Sequence, residues 1–80
     1  MTTNDAVAAR VLTLLKEMKM TQYRLEQNSG IRHGAMDGIL NSKYNTVTLS
    51  TLYKLAQGFG MTLHEFLDDD IFCSEDIEYE

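Results

Sequence analysis

The sequence predicts an all-α domain of five short helices, and three observations carry that prediction. It has 80 residues, 44% apolar and 24% charged, which is enough for one small core and too apolar for a disordered chain. It has no proline and only five glycines, too few turn formers for a sandwich of many short strands. Its apolar residues recur at three- and four-residue spacing between polar caps and glycine stops.

The elements follow in order. Val7, Val11, Leu14, Leu15 and Met18 share one helical face, with Asn4 or Asp5 placed to cap the first turn, so a first helix is expected from about Asp5 to Lys19. Thr21 caps a second, short helix anchored by Leu25. It stops at Ser29-Gly30, where glycine accepts left-handed backbone. Ile31, Met36, Ile39 and Leu40 mark one face of a third helix, closed by the polar run Asn41-Ser42-Lys43-Tyr44-Asn45. Gly34 and Gly38 each cost about 1 kcal/mol relative to alanine, so packing must hold this helix. Thr48 caps a fourth helix in which Leu49, Leu52, Tyr53, Leu55, Ala56 and Phe59 supply a broad apolar face, ended by Gly58 and Gly60. Thr62 and Glu65 have capping-box spacing and start a fifth helix with Leu63, Phe66 and Leu67 on its buried side. The acids from Asp68 onward are expected to end the globule. This divides the chain into a helical domain over 1–67 and a short acidic C-terminal tail over 68–80, read as a dimerisation or accessory segment. Ile77-Glu78-Tyr79-Glu80 alternates with period two, which would also suit a strand pairing with its own copy.

Charge is unevenly spread. The net charge is −5, which by itself argues against a polyanionic partner. From Glu65 to the end, however, there are eight acids and no Lys or Arg, whereas residues 1–64 hold all seven bases against four acids, a net of +3. The basic body restores nucleic acid as a partner. The stretch from Glu65 onward, which carries −8 beside that body, would restrain nonspecific binding to phosphate. A single cysteine, Cys73, and the lack of a charged-then-apolar leader fit a cytoplasmic protein. No run approaches the roughly 18 apolar residues of a membrane span, so no membrane partner is expected.

Counting from Gln22, apolar or turn residues fall at the fourth (Leu25), ninth (Gly30), tenth (Ile31), fifteenth (Met36) and eighteenth (Ile39) positions. This spacing buries the inner faces of two crossed helices. Arg32, His33, Gly34, Asp37 and Gly38 are left outward, a surface suited to a major groove, with Gly34 and Gly38 permitting close approach. On these residues the chain resembles the phage-repressor and Cro-like (lambda-repressor-like) helix-turn-helix family. The likeness runs from about Val7 to Leu67 through Met20-Thr21-Gln22, Ser29-Gly30-Ile31, Ile39-Leu40-Asn41, Thr48-Leu49-Ser50-Thr51-Leu52, Leu55-Ala56 and Gly60-Met61-Thr62-Leu63-His64-Glu65-Phe66-Leu67.

The resemblance implies a sequence-specific, repressor-like transcriptional regulator that binds a double-stranded operator as a homodimer, with its recognition helix at about 32–40. It implies no cofactor and no small-molecule ligand. Gln22 inherits a DNA backbone contact, Arg32 and His33 inherit base contacts, and Asn41 and Lys43 match a phosphate-contacting loop. Asp37 faces bases only by accepting from a cytosine amino group. Tyr23 and Tyr44 flank the basic body and would meet phosphates through their hydroxyls, or else pack at helix edges. The sequence departs from the family pattern at three places. Glu26 stands where alanine is usual, so either it bends outward or Gly34 leaves room for its stem. Arg32-His33-Gly34 replaces a serine-rich helix start and removes the customary cap. Asp37 adds a carboxylate to the reading face.

Other chemistries find little support. No nucleophile with a base, metal cluster or phosphate loop is evident, so no enzyme is expected. His64-Glu65 matches half of a zinc-protease motif, but the residue four after His64 is Asp68 and the glutamate fits the capping box. Arg10 is read as either a helix-surface base or an internal ion-pair partner. The rival from another class is a helix-turn-helix-derived protein-interaction module that has lost DNA. Glu26, Asp37 and the acidic tail favour it, and the cationic start of the third helix opposes it.

Overall fold

Threonine sets four of the five helix starts. The computed structural model describes residues 1–44 and 46–73, and places α1 at Thr3–Glu17, α2 at Gln22–Ser29, α3 at His33–Leu40, α4 at Leu49–Gly58 and α5 at Leu63–Leu67, followed by a 3₁₀ turn at Asp70–Cys73. The hydroxyls of Thr2, Thr21, Thr48 and Thr62 accept from the amides of Asp5, Arg24, Thr51 and Glu65, each satisfying a donor with no partner inside its helix. Asp5 and Glu65 return the bond to the Thr2 and Thr62 amides, completing two capping boxes. Asn45 and the alternating stretch 77–80 lie outside the described residues.

The first helix starts earlier than expected. Thr2 is its cap, so Asp5 is the third helical residue and neither Asn4 nor Asp5 is the cap. Asn4 is instead buried, donating its side-chain amide to the Ile39 carbonyl across the molecule at 2.9 Å. At the other end, α1 stops at Glu17 rather than Lys19. Lys19 adopts φ 53°, Met20 N–H reaches the Leu15 carbonyl and Lys19 N–H that of Lys16, the paired bonds of a Schellman turn. The same closure ends α3 with Ser42 (φ 54°) and α4 with Gly60 (φ 72°) in the left-handed position.

The core gathers Val7, Val11 and Leu14 from α1, Leu25 from α2, Met36 and Ile39 from α3, Leu55 and Ala56 from α4 with Phe59 at its C-terminal cap, and Phe66 from α5, with Ile31 from the turn between α2 and α3. α1 packs on α3 and α2 on α4. That second crossing is close. A Cβ on Gly58 would sit 2.8 Å from Leu25 Cδ1 and 2.9 Å from Ser29 Cβ, so only glycine lets α4 approach α2 without displacing it. The expected apolar faces prove too broad. Leu49 and Tyr53 on α4 are more than half exposed and Met18 is exposed, because no described element covers that side of their helices. The chain also stays on the globule past Leu67, against the expectation that the acids from Asp68 end it. Phe72 packs its ring against Phe66 and Asp69 pairs with Arg10.

The two capping boxes predict an acid dependence. The Thr2 amide beside Asp5 and the Thr62 amide beside Glu65 hold both carboxyls below their ordinary values of 3.8 and 4.5. A lowered folded-state value means stability that is complete above the ordinary value and is lost as pH falls through the lowered one. Urea unfolding below about pH 5 should therefore show a shallower decline for the Asp5→Asn, Glu65→Gln double variant than for the parent. Identical slopes would show that the boxes do not titrate with folding.

Candidate nucleic-acid interface

Gly30, at φ 75°, turns the chain between α2 and α3, and the Ser29 hydroxyl accepts from the Ile31 amide to tighten the bend. Ile31 enters the core directly after it. α3 is then held from behind by Met36, Ile39 and the Asn4 amide, which compensates for the poor helix propensity of its two glycines. Arg32 is the N-cap of α3 with extended backbone and no side-chain capping bond, as the departure at this position implied. Arg32, His33, Gly34 and Ala35 are all exposed. A Cβ on Gly34 would meet nothing within 4 Å, so Gly34 is uncovered and does not serve to make room for Glu26.

Glu26 neither bends away nor is crowded. Its Oε2 accepts from Gln22 Nε2 at 2.9 Å and meets His33 Nδ1 at 2.9 Å, tying the first turn of α2 to the first turn of α3. The two partners hold the Glu26 carboxyl below the usual carboxylate range, the Gln22 bond most strongly. The same contact raises His33.

The other carboxylate of this face is also engaged. Asp37 Oδ1 accepts from Asn41 Nδ2 at 2.8 Å, and Oδ2 faces Lys43 Nζ at 3.3 Å. Three residues expected at DNA are thus brought together at the C-terminal end of α3, where the Schellman turn at Ser42 brings Lys43 N–H back to the Gly38 carbonyl. Gly38, expected to be outward, is buried. A Cβ there would sit 2.5 Å from Tyr44 Cε2, so the close approach at this glycine comes from the protein's own tyrosine, which folds over it while remaining half exposed. Tyr23 is exposed beside Gln22, lining one shallow hollow with Glu26 and His33.

Two residues join this surface that sequence reasoning passed over. Lys54 and Thr51 of α4 line a hollow with Arg32 and Ala35, so α4 adds a cation beside the start of α3. Lys54 carries no local signal, since a lysine on an amphipathic helix reads as solvated, and only the packing of the whole domain brings it near Arg32. The bonding partners of Glu26 were equally invisible, although its three- and four-residue neighbours include Gln22. Both carboxylates on the face have partners, while Arg32 has no ion pair among the described residues. The surface therefore offers positive charge without a free acid to repel phosphate.

Among the described residues there is no group of three His, Cys, Asp or Glu that could hold a metal, and no helix is long and apolar enough to cross a membrane. No curated protein and no solved structure matches the chain. A family model described as the Cro/C1-type HTH DNA-binding domain matches residues 10–70, most of the chain and all of α2 to α5. With a glycine-turned helix pair and its cationic face now in place, the chain belongs to that Cro/C1-type helix-turn-helix family and is in general terms a DNA-binding regulator.

Proposed function

We propose that the chain is a sequence-specific, repressor-like transcriptional regulator that reads a double-stranded operator with α3 in the major groove. The observation that carries this reading is the first turn of α3, where Arg32 and His33 stand exposed beside an uncovered Gly34 while Glu26 and Asp37 are both satisfied internally. Arg32 and His33 contact bases. Asp37 does so only by exchanging Asn41 and Lys43 for a cytosine amino group. Gln22, Tyr23, Asn41, Lys43 and Tyr44 position the domain on the phosphates.

A homodimer on an inverted repeat suits so small a reading surface, because two copies double the few base contacts that one helix supplies, with half-sites about 34 Å apart. Segment 68–80 serves as an accessory or dimerisation segment. Selection of bound sequences from random duplexes tests the reading directly, and enrichment of a palindrome is the expected result. Affinity for the selected site should fall steeply with salt on a log-log plot. A shallow dependence would point to a mainly apolar protein partner instead.

Substitutions separate the roles. Arg32→Ala should relax preference at one base position by about 1–3 kcal/mol, the worth of a bidentate guanine contact. Gln22→Ala should weaken all sequences alike, as loss of a backbone-positioning contact does. Competition binding with single-base variants of the selected duplex measures both. Unchanged binding in both variants would place the recognition surface elsewhere.

A further inference from the structure

Glu26 Oε2 sits between Gln22 Nε2 and His33 Nδ1, each at 2.9 Å. An ionised carboxylate only accepts, so Nδ1 carries the hydrogen in this contact whether the ring is neutral or charged. The Glu26 side chain is 11% exposed and that of His33 76%, so the pair is anchored at the carboxylate and open at the imidazole. With Nδ1 committed, Nε2 is the remaining polar atom of the ring. In the neutral ring Nε2 is an acceptor, and in the protonated ring it is a donor. Phosphate oxygens and the N7 and O6 of guanine are acceptors, so only the protonated ring can donate to them.

We propose that Glu26 is a positioning residue of the DNA interface, gripping His33 by Nδ1 so that Nε2 meets the duplex and binding takes up a proton. The proposal rests on the DNA-binding reading above and adds to it a residue and a proton. Two charged groups face His33, Glu26 from α2 and Asp37 from α3, and both favour the imidazolium, while partial burial opposes it. The phenol of Tyr23 and the uncharged Gln22 complete the hollow. The net direction is upward from the ordinary 6.5, so protonation of the free protein extends closer to neutral pH. A phosphate or guanine acceptor at Nε2 raises it further in the complex. Affinity then rises as pH falls through the window between the two values and levels off below the lower one, by about tenfold for each unit that separates them. Proton uptake also cancels the Glu26 charge locally, which lowers repulsion of phosphate.

The test uses the full chain in two measurements. NMR titration of the imidazole protons follows His33, with His64 as an internal control. Glu26→Gln keeps an acceptor of the same size and removes the charge, so His33 should titrate at lower pH in this variant. Binding to the selected duplex is then measured from about pH 8 to pH 5.5, the range in which histidine changes charge. The parent should tighten several-fold on acidification, Glu26→Gln should do so over a lower pH window, and His33→Ala should be flat. The slopes are compared and not the absolute affinities, since removing any carboxylate near DNA strengthens binding generally. A His33 titration unmoved by Glu26→Gln overturns the proposal, as does parent affinity that stays flat across the His33 titration. Absence of duplex binding at every pH overturns the DNA reading and the proposal with it, even if His33 shifts. The combination of binding and a flat profile overturns the proposal alone.

Discussion

Phe66→Ala should destabilise the domain by about 3–5 kcal/mol, the cost of removing a fully buried aromatic side chain and leaving its cavity. Phe66 is the largest fully buried side chain among the described residues, at 0% exposure. Its ring lies between those of Phe59, at 6.4 Å between centroids, and Phe72, at 6.1 Å. It therefore joins α4, α5 and the 3₁₀ turn in one contact. α5 has five residues, far below the length at which a helix persists alone, so it exists because Phe66 docks it. A domain of this size has a total stability of about 4–12 kcal/mol, and the variant loses a large share of it. Its melting temperature should drop by roughly 12–40 °C, since about 1 kcal/mol moves such a domain by 4–8 °C. Phe66→Leu, which refills most of the volume, should cost much less. Saturating DNA duplex should recover part of the loss by binding only the folded state. A denaturation midpoint within 1 kcal/mol of the parent would show that the site collapses without Phe66.

The features that were legible in the sequence are those whose chemistry is local. A threonine hydroxyl and the amide three residues on belong to one stretch of chain, so Thr21, Thr48 and Thr62 announce their helices and Gly30 announces its turn. At the first helix the local signal was ambiguous. Asn4 and Asp5 are both good caps, and the register with Thr2 leaves Asn4 to reach Ile39, a partner 35 residues away. Periodicity likewise outlines an apolar arc without showing where it ends. Leu49 and Tyr53 belong to the α4 pattern, yet the helices that cover Leu55 and Ala56 do not reach them.

The candidate site divides in the same way. Arg32 and His33 could be placed at the start of α3 by counting from Gln22, because the helix-turn-helix spacing is a short-range pattern. Their neighbours could not. Tyr44 lies over Gly38, Lys43 bonds Asp37, and Lys54 lines a hollow with Arg32, and these contacts depend on where a loop and a later helix settle. An acid on the reading face looks repulsive to DNA in sequence, and only the positions of Lys43 and His33 show that each acid has a partner.

Arg10→Ala should cost about 2–3 kcal/mol, nearly as much as a core truncation, although the residue is an arginine on the first helix. Its Nε donates to the Phe66 carbonyl at 2.8 Å, its Nη2 to the Glu65 carbonyl at 3.0 Å and its Nη1 to Asp69 Oδ2 at 3.2 Å. The last carbonyls of a helix carry its negative dipole end, and a planar cationic fork both satisfies the Phe66 carbonyl and adds to the Asp68 amide at that of Glu65. The side chain is 11% exposed, and its loss leaves the Phe66 carbonyl without the donor it has here. Most of the cost lies in these carbonyl bonds and less in the ion pair, because Asp69 is 35% exposed and its charge is screened. Three variants separate the contributions. Asp69→Asn should lose less than about 1 kcal/mol, since a pair with a partly exposed carboxylate is worth little and the amide oxygen still accepts from the Ile71 amide. Arg10→Lys should fall between, because a single ammonium cannot reach two carbonyls and a carboxylate in fork geometry. High salt should shrink the Asp69→Asn effect and leave that of Arg10→Ala nearly unchanged. If Asp69→Asn costs as much as Arg10→Ala in urea unfolding, the ion pair, and not the carbonyl fork, is what fastens α1 to α5.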